Sequence, residues 1–139
     1  MPAISALIEF WEALGLRVFV PFYLTTAGAL HAASGESGRA RELYDASLRL
    51  AHETGMHFYD AETARRRARL ASERDTSIAE LRAALHIARK QAACPFELRI
   101  ALDLHQLLDE EARPLVEQAL LGFDEDAVMP ELDVARALI

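Results

Sequence analysis

Cysteine is almost missing from this chain of 139 residues. Cys94 stands alone, which excludes an internal disulfide and any metal site built from several thiolates; a reducing cytoplasm is the expected home. Alternating apolar and polar positions are missing too, and no window keeps a period of two for long enough to suggest a strand. Long uncharged runs are scarce. The longest lies between Arg17 and Glu36, and it contains Pro21, Thr25, Thr26, Gly28, His31 and Ser34, too polar for a membrane span. Glu9 and Glu12 occupy the region where a secretory signal would carry basic residues, so no export signal is expected. Positive charge is also short: the formal net charge is −7 and the pI is near 5.2. That balance disfavours a phosphate backbone as ligand, and no direct nucleic-acid contact is expected.

What is present is apolar and helical. With 52% hydrophobic and 27% charged residues, the chain reads as one folded domain over 1–139. Ile4, Leu7, Ile8, Trp11 and Leu14 are spaced by three and four, one apolar helix face, and Gly15 supplies a stop. Pro21 suits the first turn of a second helix running to Gly35, and a third carries Ala40, Leu43, Tyr44, Ser47, Leu48 and Ala51 to Gly55. A fourth is expected from about His57 to Ser72, followed by the polar link "SERDT". Ser77 and Glu80 read as a capping box opening a fifth helix, and Pro95, Pro114 and Pro130 open three more.

The segments "LAHETGMHFYDAETA" and "IARKQAACPFELRIA" echo one another at a shift of 37 positions, with Ala51 on Ala88, Tyr59 on Phe96, Asp60 on Glu97 and Ala64 on Ala101. Paired helices recurring at such a spacing are the sign of stacked helical hairpins, each covering the apolar face of the next. Leu24, Ala27, Gly28, His31, Ala40, Tyr44 and Ser47 fall at the spacings of the tetratricopeptide consensus. The run from "FYLTTAGALHAAS" through "LRAALHIARKQAACPFELRIALDL" to "GFDEDAVMPELDVARALI" resembles the tetratricopeptide-like C-terminal arm of bacterial multidomain regulators. Those proteins combine ATPase modules with a nucleotide-cyclase or LuxR-type DNA-binding domain.

The resemblance implies an all-α, right-handed helical-hairpin solenoid of about three to three and a half repeats. Residues 1–15 would be the outer helix of a truncated repeat, 21–55, 57–92 and 95–123 three repeats, and 130–139 a capping helix. This chain has no G-x-x-x-x-G-K-[ST] phosphate loop, cyclase region or DNA-reading helix-turn-helix, so only the arm carries over. Phe10, Trp11 and Phe19 would lack their usual cover, and a homodimer through them is expected as one possibility.

Candidates for chemistry are few. No two of the five histidines have the i, i+4 spacing of an H-E-x-x-H site; His52 and His57 are five apart, and His86 and His105 lie without an obvious carboxylate cluster. Cys94, before Pro95 at a helix start, sits where a thiol can be reactive, yet no base or oxyanion-stabilising partner can be assembled with it. Arg65, Arg66, Arg67 and Arg69 spread around about 200 degrees of a helix at about 100 degrees per residue, which suggests a solvated face, with Arg66 and Arg69 sharing a side with Glu62. The acidic runs at Asp109 and Asp124 lack the EF-hand pattern. No catalysis, cofactor or metal is expected.

Projected onto the repeat, the concave side would carry Phe22, Thr25, Tyr59, Glu62, Arg66, Arg69, Phe96, Arg99, Asp103 and Gln106, aromatics for contact area and charges for orientation. The expected function is a noncatalytic docking module for a protein partner, which the resemblance implies to be an ATPase or cyclase regulator. The alternative is a small-molecule sensor, with an anionic metabolite held by Tyr59, Phe96 and Arg99.

Overall fold

Proline and glycine set most of the helix boundaries. Pro21, Pro95, Pro114 and Pro130 each occupy the first turn of a helix, where a missing N–H costs no intrahelical bond. Gly15 (φ 71°), Gly35 (φ 80°) and Gly55 (φ 73°) take the left-handed backbone just past helix ends, a conformation that costs glycine little. The computed structural model describes residues 2–139, with side chains from residue 3 on; residue 1, where the expected 1–15 outer helix begins, lies outside the described residues. The elements are α1 (Pro2–Ala13), α2 (Val20–Ala33), α3 (Ser37–Thr54), α4 (Asp60–Ala68), α5 (Arg74–Lys90), α6 (Cys94–Leu108), α7 (Arg113–Leu120) and α8 (Pro130–Leu138). Short 3-10 turns precede α2 and α7. The described residues contain no strand, and the protein is all-α. No helix among them is long and apolar enough to cross a membrane.

Two helices differ from the sequence expectation. The fourth helix, expected over about His57 to Ser72, spans only Asp60–Ala68. Helix α5 begins at Arg74, inside the expected "SERDT" link, and its N-cap is Glu73. Ser77 is therefore no cap. It is buried within the helix, and Glu80 reaches sideways to Arg41 of α3 at 2.8 Å. The 37-residue shift explains this, because Ser77 falls on the register of Ala40, a fully buried position where only a small side chain fits between helices.

Each helix packs mainly on its chain neighbours. The pairs α2/α3, α4/α5 and α6/α7 form successive hairpins, joined through α3/α4 and α5/α6, while α4 also touches α6 and α6 touches α8. Helices α4, α5 and α6 bury Ala61, Leu81, Leu85, Ile100 and Leu104 together; α6, α7 and α8 bury Leu98, Val116, Ala119 and Leu132. In the first hairpin Gly28 lets α3 come close: a Cβ at that position would lie 2.5 Å from Cε1 of buried Tyr44. Helix α1 rests on α2 and the turn before it, with Phe10 55% exposed and Trp11 half-buried between Phe10 and Phe19.

Candidate functional site

Helices α2, α4 and α6 lie in sequence along one side, and the 37-residue period becomes physical there. Phe22 in α2, Tyr59 at the entry to α4 and Phe96 in the first turn of α6 meet edge to face. The ring centroids are 5.1 Å apart for Phe22–Tyr59 and 5.4 Å for Tyr59–Phe96, a geometry that the ring quadrupoles favour. Phe22 is exposed and the other two are half-buried, so the row forms an open aromatic ladder.

Beneath the ladder lies a cluster of hydroxyls. Thr25 Oγ1 is 3.0 Å from Ser47 Oγ and 2.7 Å from Thr63 Oγ1, while Ser47 donates to the Pro21 carbonyl at 2.8 Å and Thr63 to that of Tyr59 at 3.0 Å. Three helices are thus joined by hydrogen-bonded groups out of water, where a lone hydroxyl would be costly.

A buried ionic network comes next. Glu62, with no exposed side-chain surface, accepts from Arg65 Nε at 2.8 Å, from Arg65 Nη2 at 2.9 Å and from Arg66 Nε at 2.7 Å. Arg65 Nη1 donates onward to Asp103 of α6 at 2.7 Å, and Arg69 stands 3.8 Å from the other oxygen of that carboxylate. Burial by itself would push Glu62 toward its neutral acid; the hydrogen bonds and charges of Arg65 and Arg66 outweigh it and hold the carboxyl below its ordinary range. Burial opposes the charge on Arg65 as well, and the two carboxylates overcome that and raise its pKa. Tyr44 is raised by burial, with the Arg66 guanidinium beside it pulling the other way.

Seven of the ten expected groove residues reach the surface: Phe22, Arg69 and Gln106 are exposed, and Tyr59, Phe96, Arg66 and Arg99 are half-buried. Thr25, Glu62 and Asp103 do not; all three are buried. Helical projection gives the direction of a side chain but not its depth, and where α4 meets α2 and α6 the expected groove face closes into a seam. Sequence reasoning missed Arg65, Ser47 and Thr63 as the partners in that seam. The signal was available in the register, because Arg65 falls 37 residues after Gly28, so a long cation stands where the first hairpin needs no side chain. The arginine run is also more than a solvated face: Arg65 points inward, Arg66 is half-buried, and Arg67 turns to Asp45 of α3 at 2.7 Å.

Past Asp103 the surface opens into a recess of about 430 Å3 between α4, α6 and α8. Arg99, paired with Glu131 at 2.7 Å, and exposed Gln106 line it opposite Leu102, Val134 and Leu138. At the end of α6, His105 does have carboxylates beside it, contrary to the sequence expectation. His105, Asp109 and Glu110 each offer one ligand atom, all within 4.8 Å of one another. They lie one helical turn apart along the end of α6 and its 3-10 extension, a stretch too irregular to read from helical spacing. Three such donors can supply part of a cation's coordination shell. Cys94 is half-buried and so close to Gly122 that a Cβ there would be 2.8 Å from its Sγ, a packing role at the exit of α7. His57 Nδ1 lies 2.7 Å from Asp60 and its ring is 6.3 Å from that of His52; burial raises the pKa of Asp60, with His57 opposing it.

No family model matches the sequence, and no curated protein matches it significantly.

Proposed function

We propose that the chain is a noncatalytic protein-interaction module of a bacterial signalling or transcription-regulatory system. It is built as a right-handed, tetratricopeptide-like solenoid of about three to three and a half repeats, with α8 as the cap. It docks a peptide or helix of a protein partner, an ATPase or cyclase regulator by the resemblance described above, against the inner helices. The observation that carries this reading is the aromatic ladder Phe22–Tyr59–Phe96, which repeats one contact across three successive hairpins and leaves it open to solvent. Exposed aromatics flanked by arginine and amide side chains, here Arg66, Arg69, Arg99 and Gln106, are the combination from which anchors and rims of protein interfaces are made. The order of helix packing, nearest neighbours first, supports the solenoid.

The test is affinity capture from cells of the source organism with three proteins: wild type, the double variant Tyr59→Ala/Arg69→Glu, and Arg39→Glu on exposed α3. A partner held by wild type and Arg39→Glu but lost by the groove variant supports the reading. Equal recovery by all three rejects it. Self-association is a second reading, favoured by the exposure of Phe10 and Phe19 at 55% and 47%, with Leu14 and Leu16 beside them. Sedimentation of wild type and Phe10→Ser/Phe19→Ser decides it: a monomeric wild type ends this reading.

A further inference from the structure

On a chain of formal net charge −7, one cleft is lined by cations. It lies between α2, α3 and α4, has a volume of about 240 Å3, and presents Tyr44, Arg65, Arg66 and Arg69 between walls that include Ala29 and Ala32. No carboxylate lines it. The two nearest acids are already engaged below: Glu62 accepts three N–H groups and Asp103 accepts from Arg65. Three guanidiniums against these two carboxylates leave one positive charge over.

The unused donors belong to particular atoms. Arg65 uses Nε, Nη1 and Nη2 in the network. Arg66 gives only Nε to a carboxylate, and its guanidinium otherwise stands beside the Tyr44 hydroxyl. Arg69 is 3.8 Å from its nearest carboxylate oxygen, too far for a hydrogen bond. Three carbonyls at the end of α4, the other place such donors commonly go, have backbone partners: Arg65 O accepts from Arg69 N, Arg67 O from Leu70 N and Ala68 O from Ala71 N. The fork of a guanidinium matches two oxygens of one planar or tetrahedral anion.

We propose that this cleft binds a small oxyanion, a carboxylate or phosphate group, gripped by the guanidiniums of Arg66 and Arg69 beside the Tyr44 hydroxyl. The alanine walls leave room for the anionic group and a short stem. The site stands whether or not the neighbouring groove takes a peptide.

Thermal denaturation in inorganic phosphate, in succinate and in chloride, at matched ionic strength and pH, tests it, because a ligand bound only by the folded state raises Tm in a saturable way. Wild type and Arg39→Gln, whose arginine pairs among the described residues only with Glu42 on the surface of α3, are expected to gain stability in phosphate or succinate beyond chloride. Arg69→Gln loses no close hydrogen bond and folds as wild type does; its apparent affinity for the probe should fall at least tenfold. A response to phosphate alone identifies a phosphorylated ligand, and a response to succinate alone a carboxylate one. No gain over chloride with either probe, or a gain undiminished in Arg69→Gln, overturns the proposal.

Discussion

Glu62→Ala removes the acceptor of three charge-assisted hydrogen bonds and leaves Arg65, itself buried, with Asp103 as its remaining close partner. Breaking a buried ion pair from one side costs about 3–5 kcal/mol, because the surviving charge stays out of water. For a chain of this length an unfolding entropy of about 2.1 cal/mol/K per residue makes each kcal/mol worth about 3–4 °C. The expected fall in Tm is therefore roughly 10–17 °C. Urea denaturation followed by helical circular dichroism measures the same loss as a free energy. The sign with pH is fixed too. The folded-state pKa of Glu62 lies below its ordinary 4.5, so its contribution is complete above that value and is lost as pH falls through the lower, folded one. The stability gap between wild type and Glu62→Gln should accordingly narrow on acidification below about 4.5 and stay constant toward neutral pH. A Glu62→Ala loss under about 1 kcal/mol would show that the network is solvated and does not tie α4 to α6.

Gly28→Ala should destabilise by up to about 2 kcal/mol, since overpacking against buried Tyr44 costs about 1–3 kcal/mol against a helix-propensity gain of about 1 kcal/mol. Adding Tyr44→Leu should recover most of it, because Leu81 holds the equivalent place in the second hairpin, and a double-mutant cycle reads the coupling. Thr25→Val should cost about 1–2 kcal/mol by removing the hydroxyl shared by Ser47 and Thr63. Chemical denaturation checks this; a neutral result would mean that the two remaining hydroxyls satisfy themselves through the Pro21 and Tyr59 carbonyls.

Much of the helical order was legible because the residues that start and stop helices act locally. Pro21, Pro95, Pro114 and Pro130 restrict their own backbone, and Gly15, Gly35 and Gly55 take a conformation other residues resist. The junction of α4 and α5 was harder, because it contains neither residue type, and the pattern Ser77–Glu80 matches a cap as well as it matches a buried small residue beside a cross-helix salt bridge. The aromatic members of the groove were legible from the 37-residue shift. Its depth was not: Thr25, Glu62 and Asp103 lie on the helix face expected for the groove, and only the approach of α4 to α2 and α6 makes that face a closed seam. The role of Arg65 depends on Asp103, 38 residues away, a pairing that no local pattern contains.

The polar ties of this protein fall at the boundaries between hairpins. The Thr25–Ser47–Thr63 hydroxyls fasten the first hairpin to the second, and Arg65 with Asp103 fastens the second to the third. Peeling off any one unit would strand groups that only its neighbour satisfies, so partial melting from α2 through α6 is penalised and this stretch opens as one cooperative block. Helix α1, none of whose described side chains is fully buried, is outside that block and is where fraying is expected to begin.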